Sequence, residues 1–318
     1  MDASAKNGLD AEPLSGELDG IVFRRLKTLG SRPCGGRPRV HDGPRLVFIT
    51  RPLGASALCA AGFLFMLIPA RAEDVSAPPQ AVAAGFSRLI FDEDFSTFQV
   101  RPDGLSYNGK SGVWTNGLGF FSPSPPRLIT WDGPGLLTLS SEQAAAGVIN
   151  THLRNWPRGS SAGSTVFHFG YFEASMRLVG DHPAPDNWAS IWLFSAEHQE
   201  KAANPDEWSE IDIFESGFHP AYSAAVHDWH FNGKVFENPE QSPPYHAWAR
   251  IPRSVDLTQW HTFGALWRPG EVRYYLDNVF VHAAPTQAIN DSQPCSLILS
   301  VRGNGSSKAQ FRWAHVFH

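Results

Sequence analysis

The chain has 318 residues, a net charge of −5 from 26 Lys and Arg against 31 Asp and Glu, and a high content of Gly (28), Pro (25), Phe (22) and Trp (11). An acidic balance excludes nucleic acid, anionic lipid or a heavily sulfated polymer as partner, since each needs a basic track. Abundant Gly, Pro and aromatic residues with few long apolar periods exclude a helical bundle and point to many short strands joined by turns.

Residues 1–52 contain no Trp and carry Arg, Gly and Pro without a sustained period. They are expected to be a disordered N-terminal extension, or to lie ahead of the true start. From Leu53 to Pro69 runs LGASALCAAGFLFMLIP, with Arg45 and Arg51 before it and Ala70-Arg71-Ala72 after it. A basic flank, an apolar stretch and a small-x-small cleavage site read as a signal peptide over 53–72. An uncleaved anchor is the other reading, because the stretch is only slightly shorter than the roughly 20 residues that span a bilayer. Cys59 follows Leu58, where a lipidated cysteine needs a small residue, so lipidation is not expected. Cleavage after Ala72 leaves 16 basic against 25 acidic residues, a charge of −9, and Cys295 as the one remaining cysteine. Such a product would be secreted or periplasmic, monomeric, off the membrane and without an internal disulfide.

Residues 73–86 (EDVSAPPQAVAAGF) read as a linker, with order beginning near Ser87. Ser87–Phe95, Leu136–Ser141 and Gly170–Val179 read as strands, the last two by their period-2 alternation. Between Thr262 and Ala283, TFGALW and VRYYLD flank Arg268-Pro269-Gly270-Glu271. Pro fixes φ near −65° and Gly accepts positive φ, so this is a hairpin turn. A second turn at Asp277-Asn278 leads into VFVHAA. Strands and turns recurring at this pace indicate a sandwich or barrel.

The chemistry sits in Trp208-Ser209-Glu210-Ile211-Asp212-Ile213-Phe214-Glu215. Alternate residues of a strand share a face, so Trp208, Glu210 and Asp212 point one way and Ile211 and Ile213 the other. Unbroken alternation would send Glu215 into the core, where an unpaired carboxylate is costly. A β-bulge near Ile213-Phe214 returns Phe214 to the apolar side and Glu215 to the side of Glu210 and Asp212. The two glutamates then stand four strand steps apart, roughly 13 Å between Cα atoms. Their inward-leaning side chains can reach the separation of about 5 to 5.5 Å that retaining glycosidases use. Three acids in six residues are also common on solvated surfaces, so this segment alone does not establish catalysis.

Glu210-Ile211-Asp212-Ile213-Phe214-Glu215 resembles the bulged E-I-D-x-x-E signature of glycoside hydrolase family 16. The resemblance extends to RLIFDEDFS (88–96), FGYFEASMRL (169–178), NWASIWLFS (187–195) and WHTFGALWRPGEVRYYLDNVFVH (260–282). It implies that residues 87–318 form an all-β catalytic domain, a β-jelly-roll sandwich of two curved antiparallel sheets with a polysaccharide substrate across the concave face. It further implies Glu210 as nucleophile, Asp212 as assisting acid and Glu215 as general acid/base. Trp188, Trp192, Trp208 and His227 match or neighbour cleft positions of the family and are expected to bind substrate, indole faces suiting the C–H faces of pyranose rings. For Trp188 and Trp192 a place in the core is the competing reading; for His227, a structural histidine. No cofactor is implied. Arg312 in FRWAHVFH stands where many members have a calcium-binding Asp, and a guanidinium cannot ligate a cation, so no metal is expected. Ser209 replaces a Gly usual before the nucleophile in laminarinase-like members. The resemblance thus implies a retaining endo-glycosidase, with an uncharged β-1,3-glucan as expected substrate. A galactanase, a transglycosylase and a non-catalytic carbohydrate-binding protein remain open alternatives.

Overall fold

The structure is a computed structural model that describes residues 75–318 except 103, 105, 118–123, 144, 152–164, 181–187, 200–206, 217–221, 232–235, 238–254 and 304–306. The expected extension (1–52) and signal peptide (53–72) lie outside the described residues. Among the described residues, no helix is long and apolar enough to cross a membrane.

The described residues form seventeen strands in two antiparallel sheets. The first sheet holds β1 (Leu89–Glu93), β5 (Ile129–Gly133), β6 (Leu136–Glu142), β8 (Gly170–Val179), β13 (His261–Arg268), β14 (Glu271–Leu276), β15 (Val279–Pro285) and β17 (Lys308–Phe317). It runs β15–β14–β13–β8–β17, and β17 is flanked on its other side by β1 and by the β6–β5 pair. The second sheet holds β2 (Gln99–Val100), β3 (Ser106–Asn108), β4 (Val113–Asn116), β7 (Ala145–Asn150), β9 (Trp188–Ser195), β10 (Glu207–Glu215), β11 (Ser223–Phe231), β12 (Phe236–Glu237) and β16 (Cys295–Arg302). Its order is β12–β11–β10–β9–β16–β7–β4–β3–β2. The sheets join where Ser141 of β6 pairs with Ala146 of β7. This is the expected jelly-roll.

Alternation decides what each sheet buries. Ile191 and Leu193 of β9, Ile211 of β10, Val226 of β11 and Leu299 of β16 share one core with Phe172, Phe263, Trp267 and Phe311 of the first sheet. Side chains of opposite parity on β9, β10, β11 and β16 face away from that core and form the floor of the site. The hairpin turns follow their residues: Gly270 has φ 83°, and Asp277 and Asn278 have φ 49° and 64°, the paired positive values of a type I′ turn.

One expectation is corrected here. Residues 75–86, read as linker, are packed: a short helix α1 (Pro79–Ala83) places Ala81 against Tyr171, Leu266 and Phe317. Gln80 Nε2 donates to Tyr171 Oη at 2.7 Å and to Asn278 Oδ1 at 2.8 Å. Apolar Val75, Ala77 and Phe86 pack against the same cluster and help to bury Tyr171 on the outer side of β8. Arg312 stacks on Trp260, its guanidinium carbon 4.0 Å from the ring centroid, with Arg177 on the same ring at 5.0 Å. The position is filled by a cation–π contact and does not suit a metal.

Candidate active site

The site is built on β10. Asp212 pairs with Ala225 of β11, but the next partners are Glu215 and Ser223, so Ile213 and Phe214 together oppose Ala224. On the other side Asp212 pairs with Trp192 and Phe214 with Ile191. This is the expected bulge. Ile213 and Phe214 both enter the core, at 2% and 0% exposure, and Glu215 comes round to the face of Glu210 and Asp212. Glu210 and Glu215 lie opposite Phe194 and Ser190, four residues apart on β9.

Each acid has a partner on a neighbouring strand. Trp229 Nε1 of β11 donates to Glu210 Oε2 at 2.7 Å. Trp188 Nε1 of β9 donates to Glu215 Oε1 at 2.6 Å. His227 Nε2 lies 2.9 Å from Asp212 Oδ2, both groups buried. Oxygens of Glu210 and Asp212 and a ring nitrogen of His227 fall within 4.8 Å of one another. Arg302 of β16, opposite Trp188 in register, lies 3.9 Å over its ring.

Burial and mutual repulsion govern the protonation of these acids. Glu215 is pushed up to about 8, first by burial and then by Asp212, against the Trp188 N–H and the charge of Arg302. Burial raises Glu210 as well, reinforced by Asp212 and Glu215 and opposed by His227 and the Trp229 N–H. Asp212 is raised by burial and held back by Arg302. Both glutamates are raised alike and each has a fixed indole N–H donor; repulsion among the three acids disfavours ionising them together.

The expected substrate-binding residues divide. Trp188 and Trp192 are half-buried on the cleft face, and Trp192 Nε1 donates to Ser300 Oγ at 3.1 Å. His227 is 6% exposed and serves Asp212, so it is placed to orient that acid. Trp208 departs from expectation: it is on the predicted side but only 7% exposed, its ring stacked on His198 at 4.0 Å and on Trp229 at 6.1 Å. Paired with Trp229 across β10 and β11, it braces that ring from the side instead of walling the cleft. Sequence reasoning missed Trp229 and Arg302 as site residues. Trp229 shares the parity of His227 and could have been read from it; Arg302 has no local signal.

Residues 136–314 match the sequence model described as glycosyl hydrolases family 16. The chain belongs to this family. A β-glucanase from Brevibacillus brevis is 33% identical over 104 residues, 33% of this chain and 35% of that protein, so the match spans about a third of that relative's length. The laminarinase catalytic domain of Thermotoga maritima, solved with cetyltrimethylammonium bromide, superposes with TM-score 0.52 at 16% identity, covering 72% of this chain and 97% of that one. The κ-carrageenase of Pseudoalteromonas carrageenovora, solved with a κ-carrageenan oligotetrasaccharide, gives 0.50 at 16% identity, with 72% and 94% covered. At these identities the likeness establishes a shared family 16 fold.

Proposed function

We propose that this chain is a retaining endo-glycosidase acting on an uncharged β-linked glucan, with β-1,3 bonds as its target. The observation that carries the reading is the bulge at Ile213-Phe214, which brings Glu210, Asp212 and Glu215 onto one face, with both glutamates raised by burial and by mutual repulsion. Glu215 protonates the glycosidic oxygen as Glu210 attacks the anomeric carbon. The glycosyl–Glu210 ester is then opened by a water whose proton returns to Glu215. Asp212, oriented by His227, opposes deprotonation of both neighbours.

Half-buried Trp188 and Trp192 on β9 and Trp229 on β11 flank the acids of β10 on both sides and favour several sugar rings held across the floor, hence internal cleavage. Among the described residues, Arg302 beside the acids is already engaged with Trp188 and with those acids, in keeping with an uncharged substrate. Family membership and the similarity to a β-glucanase agree with a glucan. We further propose that the protein is exported, with cleavage after Ala72. Incubation with laminarin, lichenan, agarose and carrageenan tests the substrate: early release of a ladder of oligosaccharides from laminarin is expected, and activity confined to a galactan overturns the assignment.

A further inference from the structure

Two features of the site have no part in bond exchange. Both glutamates receive an indole N–H, each from a strand flanking β10 and from opposite sides, Trp229 on β11 and Trp188 on β9. In each case the ring is backed by a second group. Trp229 stacks with Trp208 at 6.1 Å and 19° and with His227 at 5.6 Å and 28°, while the Arg302 guanidinium lies 3.9 Å over Trp188. Rings so braced cannot swing freely, and an indole N–H only donates, so its direction fixes which carboxyl oxygen it meets.

We infer that Trp229 and Trp188 are a matched pair of positioning residues, each occupying one oxygen of a catalytic carboxyl and reserving the other for the reaction. Trp229 takes Glu210 Oε2, which leaves Oε1 to attack the anomeric carbon. Trp188 takes Glu215 Oε1, which leaves Oε2 to carry the proton that goes to the glycosidic oxygen as the bond from the anomeric carbon to that oxygen breaks. In the second half, water loses a proton to Glu215 Oε2, bonds to the anomeric carbon, and displaces Glu210 Oε1. Because a hydrogen bond to a carboxylate favours its charged form, the same N–H groups hold both acids below where burial alone would put them. The inference rests on the proposed roles of the two glutamates.

Other charged and titratable groups also face these acids. Asp212, Glu215 and His227 act on Glu210; Asp212, His227 and Arg302 act on Glu215. Removing an indole N–H alters none of their charges, so its effect can be read separately. The test replaces Trp229 or Trp188 with 3-benzothienylalanine, which keeps the bicyclic shape and lacks the N–H, and the fold is expected to survive. Carboxyl ionisation is followed by carbon NMR of protein labelled at the Glu side-chain carboxyl, with Glu210→Gln and Glu215→Gln assigning the signals, beside the pH profile of kcat/KM on laminarin.

Replacement at 229 should raise the ionisation of Glu210 by about one pH unit and move the acid limb up with it, lowering kcat/KM about tenfold on that limb. Replacement at 188 should raise Glu215 by about one unit and shift only the alkaline limb, also upward. Titrations unmoved by either replacement, or a loss confined to KM, would mean that the indoles only stack on sugar, and the inference fails. Titrations that move as expected with the two limbs exchanged uphold the pair of N–H groups and overturn instead the assignment of nucleophile and acid.

Discussion

Glu210 and Glu215 carry the same side chain, and the proposed mechanism puts opposite demands on them, one ionised and one protonated at the start of the reaction. Replacing either with Gln should lower turnover by about three orders of magnitude or more, and Asp212→Asn should be milder, as initial rates on laminarin will show. Azide should rescue Glu210→Ala and Glu215→Ala with products of opposite anomeric configuration, determined by proton NMR, since it replaces the nucleophile in one and attacks the glycosyl ester in the other. Stability should respond in a way that depends on pH. The folded state raises Glu215 from an ordinary 4.5 to about 8, so whatever this group contributes to stability is complete below about pH 4.5 and is lost as pH rises toward 8. Glu215→Gln escapes that loss. It should melt higher than the parent protein at pH 8, by about 3 °C for each kcal/mol of that loss, and alongside it at pH 4; a lower melting temperature at pH 8 would mean the carboxylate belongs to a stabilising ion pair. The three acids were legible because strand parity and the cost of burying Glu215 require a bulge between them. Parity gives side but not depth, hence the misplacement of Trp208, which His198 and Trp229 cover. Arg302 reaches the acids only through the pairing of β16 with β9, which no local pattern announces.

Among the elements, strands with turn residues at their ends were the legible ones: β6, β8 and the β13–β14 hairpin lie where alternation and Pro269-Gly270 put them. The α1 segment was not, since Ala and Pro describe a linker and a short packed helix equally well until Tyr171 supplies a partner. Tyr171 also explains a glycine within β13. A Cβ on Gly264 would stand 2.3 Å from Tyr171 Oη and 2.9 Å from its Cζ, closer than real contacts allow. Tyr171 is fully buried and its hydroxyl is held by Gln80, so it cannot retreat cheaply. Gly264→Ala should therefore destabilise by about 1–3 kcal/mol in urea unfolding, and Tyr171→Phe in the same chain should recover part of the loss by removing the clashing oxygen.

For the whole molecule, a sandwich or barrel could be anticipated from the frequency of strands and turns, and the jelly-roll from the family resemblance, but not which strands are neighbours, because pairings such as β1 with β17 depend on contacts far apart in sequence. Export is tested at this scale too: N-terminal sequencing of secreted protein is expected to begin at Glu73, ahead of the packed residues from Val75, and material found only in membranes with 53–69 intact would contradict it. The place of β17 has a temporal consequence. This strand pairs with β8 along its length and with both β1 and β6 on its other side. Until Lys308–Phe317 has left the ribosome, three earlier strands lack a neighbour and the first sheet cannot close. Closing such distant pairings is slow, so the completion of the first sheet is expected to wait for β17.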